Sequence, residues 1–249
     1  MSFNITKCCH LCITLKKTKL DHTFTISGQE IQHEKKCKYL GVTITDNLSW
    51  NTQAEAVRAK ASRSLGLIRR TLGKCSKEVK ETAYNTLVRP QLEFATSAWN
   101  PNTNRNIRIV ESVQRQAARF VMKDYHQESS VSDMLTLLGW DTLHDRRLLH
   151  QVEILYKILH GQINITIPPN IILENRRSSR HNQTNQHSHT YRQPFASVDC
   201  HLYSPFPRAV RIWNRLPEAA VTATNLNGFQ REALPAIRKM ELPIPLRTN

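Results

Sequence analysis

The sequence predicts an α+β chain that is predominantly α-helical, with a small antiparallel sheet at the N-terminus followed by a helical bundle. Two patterns lead to this. Short runs of alternating apolar residues lie before residue 46, and from residue 50 onward apolar residues recur at spacings of three and four. Helix-start chemistry, Ser76 with Glu78 and Thr142 with Asp145, precedes two of the later runs.

Taken in order, residues 3–15, Thr23 to Ser27 and Lys38 to Thr45 read as three strands, with Gly28 supplying a turn. Gly41, between bulky neighbours, allows another backbone or a ligand to come close. Cys8, Cys9, Cys12, His10 and Cys37 could suggest zinc. The first four, however, fall in a strand-like run where neighbouring side chains face opposite ways, unlike the spaced ligand pairs of a structural site. No metal site is expected, and the six cysteines read as reduced thiols of an intracellular protein, with nothing to choose between nucleus and cytoplasm.

A first helix is expected over about Trp50 to Leu72, with Ala54, Val57, Ala61, Leu65, Ile68 and Leu72 on one face and Lys60, Arg63, Arg70 and Lys74 roughly opposite. A second opens at Ser76 with an apolar row of Val79, Ala83 and Leu87. It bends or restarts at Pro90 and ends at Trp99-Asn100-Pro101. A third spans about Arg105 to Lys123. Its cations Arg105, Arg108, Arg115, Arg119 and Lys123 fall within roughly 80° of one another at 100° per residue. Ile107, Val110, Val113, Ala117, Phe120 and Val121 take the other side, and Glu111 is the one acid. Like charges at helical spacing repel by a few tenths of a kcal/mol, so the row points to an anion alongside.

Further on, residues 131–138 form a short helix, and Thr142 starts another that carries Leu148, Val152, Leu155 and Leu159. From Glu174 to Pro194 no Leu, Ile, Val, Phe, Met or Trp occurs, which predicts a flexible polar linker. His181, His187 and His189 within it make a weak metal pattern. Phe206 to Leu216 is a short helix stopped at Pro217, and a last helix, Asn225 to Lys239, is interrupted or bent by Pro235.

The chain has 249 residues, with 35 Lys plus Arg against 20 Asp plus Glu, a net charge of +15 that favours polyanionic partners. A ribosomal-type protein or a merely basic surface carries a similar surplus. No run of about 18 apolar residues exists, so no membrane partner is expected. Asp46, Asp124, Asp133, Asp141 and Asp145 are scattered, whereas two-metal phosphoryl transfer needs carboxylates gathered around the ions. Phosphate loops, nucleophile elbows and His-Glu-x-x-His are missing too, so no catalytic residue is expected.

Several blocks carry a family likeness: KYLGVTITDNLSW (Lys38 to Trp50), VKETAYNTLVRPQLEFATSAWNP (Val79 to Pro101), VQRQAARFV (Val113 to Val121), LGWDTLHDRR (Leu138 to Arg147) and YKILHG (Tyr156 to Gly161). In this order they resemble the part of a non-LTR retrotransposon (LINE, jockey/CR1-like) reverse transcriptase where the palm gives way to the thumb and a C-terminal extension. WNRLP (Trp213 to Pro217) resembles a segment near the C-terminus of such elements. The resemblance implies palm-remnant strands over 1–48, a helical thumb-like region over 49–125 and a helical connection over 126–168. A polar linker over 169–195 and a small helical extension over 196–249 complete it. It also implies a primer-grip role for Tyr39, Leu40 and Gly41. The family's Asp-Asp loop is absent here. The resemblance puts it upstream of Met1 with the rest of the palm and the fingers, and with it the Mg expected only for the intact polymerase. This chain would then hold RNA template and DNA primer without reading sequence and lack polymerase activity alone. The phosphate contacts would come from Arg105, Arg108, Arg115, Arg119, Lys123, Lys60, Arg63 and Arg70. The alternatives are a non-catalytic nucleic-acid-binding module and a degenerate transposon relic.

Overall fold

A computed structural model describes residues 22–166 and 195–240 continuously, together with 4, 5, 8–14, 16, 187 and 189–193. The fold is α+β and predominantly α-helical. Among the described residues there are six strands of two to four residues: β1 (Cys9–His10), β2 (Thr25–Ile26), β3 (Gln29–Glu30), β4 (Gln32–His33), β5 (Lys36–Tyr39) and β6 (Val42–Thr45). They pair as β1–β4 parallel, and as β2–β3 and β5–β6 antiparallel.

The run expected as one strand from Lys38 to Thr45 is a hairpin. Tyr39 faces Val42 across a two-residue turn in which Leu40 and Gly41 both have positive φ, 46° and 86°. Such a turn matches the twist of the strands it joins. The usual Asn-Gly signature is missing, so Leu40 hides the turn inside an apparently continuous apolar run. The expected strand over residues 3–15 is likewise reduced, among the described residues, to Cys9–His10.

Ten α-helices follow among the described residues. α1 (Asn51–Thr71) buries Gln53, Ala54, Val57, Ala61, Leu65 and Ile68, close to the face expected. The next rod is α2 (Lys77–Ala83), a π-helical turn (Tyr84–Val88) and α3 (Arg89–Glu93). Its buried row is Lys80, Tyr84, Val88 and Leu92, while Val79 and Leu87 are 46% and 53% exposed. Of the apolar row expected here, Val79 and Leu87 are therefore on the outside, while Ala83 is half-buried against the core. The reason is chemical: the Lys80 ammonium sits 5.1 Å over the Phe120 ring, and the Tyr84 hydroxyl donates to Gln114 Oε1 at 2.9 Å. Long side chains with polar tips can serve as core residues when the tip finds a partner. The π turn also accommodates Pro90. Arg89 N–H reaches back to Tyr84 O, so the rod widens just before a residue that has no N–H to give.

α4 (Asn104–Met122) starts at Thr103, whose hydroxyl accepts from Asn106 N–H, and ends at Lys123 in the left-handed region. It packs along α1 in the same direction. Asn106 donates to Asn51 at one end, and Arg69 lies over Tyr125 beyond the other. α5 (Val131–Leu137) and α6 (Leu143–Leu159) follow, the latter capped by Thr142 as its sequence predicts. α7 (Asp199–Leu202), α8 (Pro205–Trp213), α9 (Glu218–Val221) and α10 (Leu226–Arg238) close the chain. α10 runs through Pro235 without interruption.

Two apolar cores result. The first gathers α1, the α2–α3 rod, α4, α5, Val42, Trp140 and Leu143; the second gathers α6 from Leu148 with Tyr191, α8, α9 and α10. The polar tract was expected to be a linker, but within its described part His187, Thr190 and Tyr191 are buried, while His189, Arg192 and Gln193 are exposed. Asn214 clasps Tyr191, accepting from its N–H at 2.9 Å and donating to its C=O at 2.7 Å. Trp213 donates to His189 O. The WNRLP segment thus has a structural task. His181 and the remainder of the tract from 167 to 186 lie outside the described residues.

The cores meet at Asn100. Its Oδ1 accepts from Arg147 Nε, its Nδ2 donates to Gln151 Oε1, and its backbone carbonyl accepts from Arg208 Nη1. Arg147 also donates to Leu92 O and Trp99 O, and its guanidinium lies 4.1 Å over the Trp99 ring. Both arginines are about as buried as leucines, 1% and 3% exposed. Burial pulls each down to about 9, still charged at neutral pH. Removing Arg147 would strand three acceptors in the interior, each worth roughly 1–3 kcal/mol when left unpaired. Arg147→Ala is therefore expected to cost at least about 3 kcal/mol in urea unfolding.

Acid should weaken the fold as well. Burial holds His144 and His150 of α6 below the ordinary histidine range, so below about pH 6.5 the unfolded chain binds protons that the folded chain refuses. Stability is expected to fall as pH drops through that value. In thermal melts between pH 7.5 and 5.5, the His144→Gln/His150→Gln double variant should show a shallower decline than the parent.

Candidate nucleic-acid interface

α4 separates its two flanks cleanly. Asn106, Val110, Val113, Gln114, Ala117, Ala118, Phe120 and Val121 are buried, and Arg105, Arg108 and Arg115 are exposed on the opposite side; Lys123, also exposed, follows the helix and comes close to Lys80. Arg119 shares that side but is half-buried. Its guanidinium donates to the carbonyls of Asp124, His126 and Ser129, at 3.4, 2.8 and 3.3 Å, and so ties down the loop that follows the helix. Arg119 was expected to contact phosphate; here its donors are turned to the chain's own backbone.

The other cations differ among themselves. Arg105 lies 3.4 Å from Glu55 Oε1, but both side chains are more than half exposed, so the pair contributes about 0–1 kcal/mol and can exchange partners. Arg108 has no hydrogen-bond or ion-pair partner among the described residues. Arg115 borders a cavity of about 540 Å³ with Glu111, Asp141 and Asp145, and Asp141 is itself paired with Arg238. Glu111 is internal. It accepts from Leu143 N–H at 2.9 Å and from Gln114 Nε2 at 3.1 Å, and burial raises its carboxyl above the usual range despite those bonds. The one acid of the helix is thus an N-terminal partner for α6, with Arg115 also within its electrostatic reach.

α1 adds Lys60, Arg63 and Arg70, all exposed. Together α1 and α4 hold nine cations (Arg58, Lys60, Arg63, Arg69, Arg70, Arg105, Arg108, Arg115, Arg119) and two acids, Glu55 and Glu111. Counting 9 − 2, these two packed helices contribute +7 of the chain's +15.

Tyr39, Leu40 and Gly41 form the hairpin tip. Tyr39 and Leu40 are 65% and 78% exposed, and a Cβ on Gly41 would meet the Phe94 ring at 3.1 Å. The close approach read from this glycine is therefore made by Phe94. β6 is fixed to α1 by Thr43 N–H donating to Gln53 Oε1 at 2.8 Å, so the hairpin and α4 flank the same helix.

Cys9 Sγ lies 2.9 Å from Cys37 Sγ, and this hydrogen bond lifts the Cys9 thiol to about 11. No group of three metal-ligating side chains gathers among the described residues. Asp46, Asp124, Asp133, Asp141 and Asp145 form no such cluster.

The joint role of Asn100, Arg147 and Arg208 is not read from the sequence. Arg147 stands at a position of α6 that belongs to the inward row (Leu143, Arg147, Gln151), and a charged residue on an apolar face was the available signal.

No family model, no curated protein and no solved structure matches this chain.

The two roles within the row can be separated. Arg119→Ala should lower stability by about 1–2 kcal/mol, because three loop carbonyls lose a charged donor at a half-exposed site. Arg108→Ala should leave the melting temperature unchanged.

Proposed function

We propose that this chain holds a nucleic-acid duplex, an RNA template with its DNA strand, by backbone charge, as the thumb-like part of a retrotransposon reverse transcriptase that has no polymerase activity by itself. The observation that carries the reading is the outward cationic flank of α4; α1, packed on the same helix, adds exposed Lys60, Arg63 and Arg70. Like charges at this spacing repel, and a phosphate backbone both removes that penalty and releases counterions on binding. The contacts are to phosphates and carry no sequence information.

A membrane surface fits less well. An interfacial helix must turn an apolar face to lipid, whereas the apolar flank of α4 is already in the core. The family assignment rests on the sequence blocks alone, and the exposed hairpin tip at Tyr39 and Leu40 is compatible with a grip on the primer end.

The test is binding of a fluorescent RNA–DNA hybrid as a function of salt. Affinity should fall with log salt at a slope of about −0.9 per neutralised phosphate. Arg108→Glu/Arg115→Glu should weaken binding and flatten the slope by roughly two. Arg231→Glu, on α10, should change neither. Salt-insensitive binding, or equal losses in both variants, would remove the basis of the reading.

A further inference from the structure

All six cysteines are free thiols, but they do not stand alike. Cys8 turns its sulfur to the carbonyl of Asn4 at 3.5 Å. Cys9 and Cys37 are the two whose sulfurs meet, the Cys9 S–H donating to Cys37 Sγ at 2.9 Å. They are 28 residues apart in the chain, on β1 and β5, and these strands belong to different sheets. The fold therefore makes this contact; sequence proximity does not. A disulfide is about 2.0 Å long, so a shift of less than about 1 Å would join the two sulfurs. Cys9 is exposed and Cys37 half-buried, so a dissolved oxidant can reach the pair.

We propose that Cys9 and Cys37 form a reversible dithiol–disulfide site, oxidised by a small disulfide of the glutathione class. The Cys37 sulfur, as its thiolate, attacks one sulfur of oxidised glutathione, whose S–S bond breaks and releases one glutathione thiolate. Cys9 then gives its proton to solvent and attacks Cys37 Sγ, and the second glutathione leaves. Two electrons pass from the pair to the oxidant, and two reduced glutathiones are formed. Disulfides of this transient kind are the ones found where thiols are normally kept reduced.

The new bond ties the β1–β4 ribbon to the β5–β6 hairpin, and through Thr43 and Gln53 to α1. It closes a loop that contains β2, β3 and β4, which restricts the unfolded chain and local opening alike. The site stands on the thiol pair alone and does not depend on the cationic row of α4.

The test exposes the full chain, reduced with dithiothreitol and freed of it, to rising ratios of oxidised to reduced glutathione. Remaining thiols are blocked with iodoacetamide, and non-reduced tryptic peptides are mapped by mass spectrometry. A link from the peptide of residues 8–16 to Cys37 should exceed every other cysteine pairing by about tenfold or more, and dithiothreitol should remove it. Cys8, Cys9 and Cys12 share that peptide, so variants identify the sulfur. Cys8→Ser and Cys12→Ser should form the link as the parent does, whereas Cys9→Ser should stop at a glutathione adduct on Cys37. The Glu34 amide, bonded to His10 C=O at 2.9 Å, reports on the ribbon. Oxidation should slow its exchange with solvent by about threefold or more in the parent and leave it unchanged in Cys9→Ser. Links spread over the six cysteines, a parent that stops at glutathione adducts, a link that survives in Cys9→Ser, or an unaltered Glu34 amide in the oxidised parent would overturn the proposal.

Discussion

Two guanidiniums buried around Asn100 hold the molecule together. Arg147 and Arg208 come from two helices that pack together, α6 and α8, and both terminate on the same asparagine beside the first core. Neither is hydrogen-bonded to a carboxylate among the described residues; the acceptors are an amide and backbone carbonyls. Burying a charge this way is costly unless each donor finds an oxygen. The Trp99-Asn100-Pro101 corner exposes its carbonyls where the chain leaves regular structure, and the arginines use them. The two cores are thereby fixed to each other by geometry that apolar packing alone would leave loose.

This arrangement frees the outer surfaces of α1 and α4. Their apolar rows are consumed by the first core, and the one acid of α4 is bonded to the start of α6. What remains outward is cationic. Within the row there is a division of labour: Arg119 shapes the following loop, Arg105 shares Glu55, and Arg108 has its donors to spare. In the proposed reading such a flank suits a long polyanion better than a single ion, because its charges are spread along the helix and do not converge on one pocket.

Much of this was legible in the residues. The helical class, the faces of α1 and α4, and the Thr142 cap follow from period and capping chemistry, which are local. The hairpin was not legible, since its turn uses Leu40 where an Asn would have announced it. The inward face of the α2–α3 rod was misplaced because Lys80 and Tyr84 look like surface residues until Phe120, Gln114 and Trp140 are brought beside them. The packed end of the polar tract was hidden for a similar reason. Its anchor, Asn214, lies some twenty residues away and acts through two hydrogen bonds that composition does not reveal. Of the candidate site, angular placement of the cations was readable, but which of them are already spoken for depends on the fold.

Lysine footprinting addresses the central claim directly. The chain is acetylated with and without a saturating RNA–DNA hybrid, and each lysine is read by mass spectrometry, with buried Lys80 as the unreactive reference. If the outward faces of α1 and α4 hold the duplex, Lys60 and Lys123 lose reactivity when it is present and Lys157 keeps its own. Unchanged reactivity at Lys60 and Lys123 in the bound state would contradict the account.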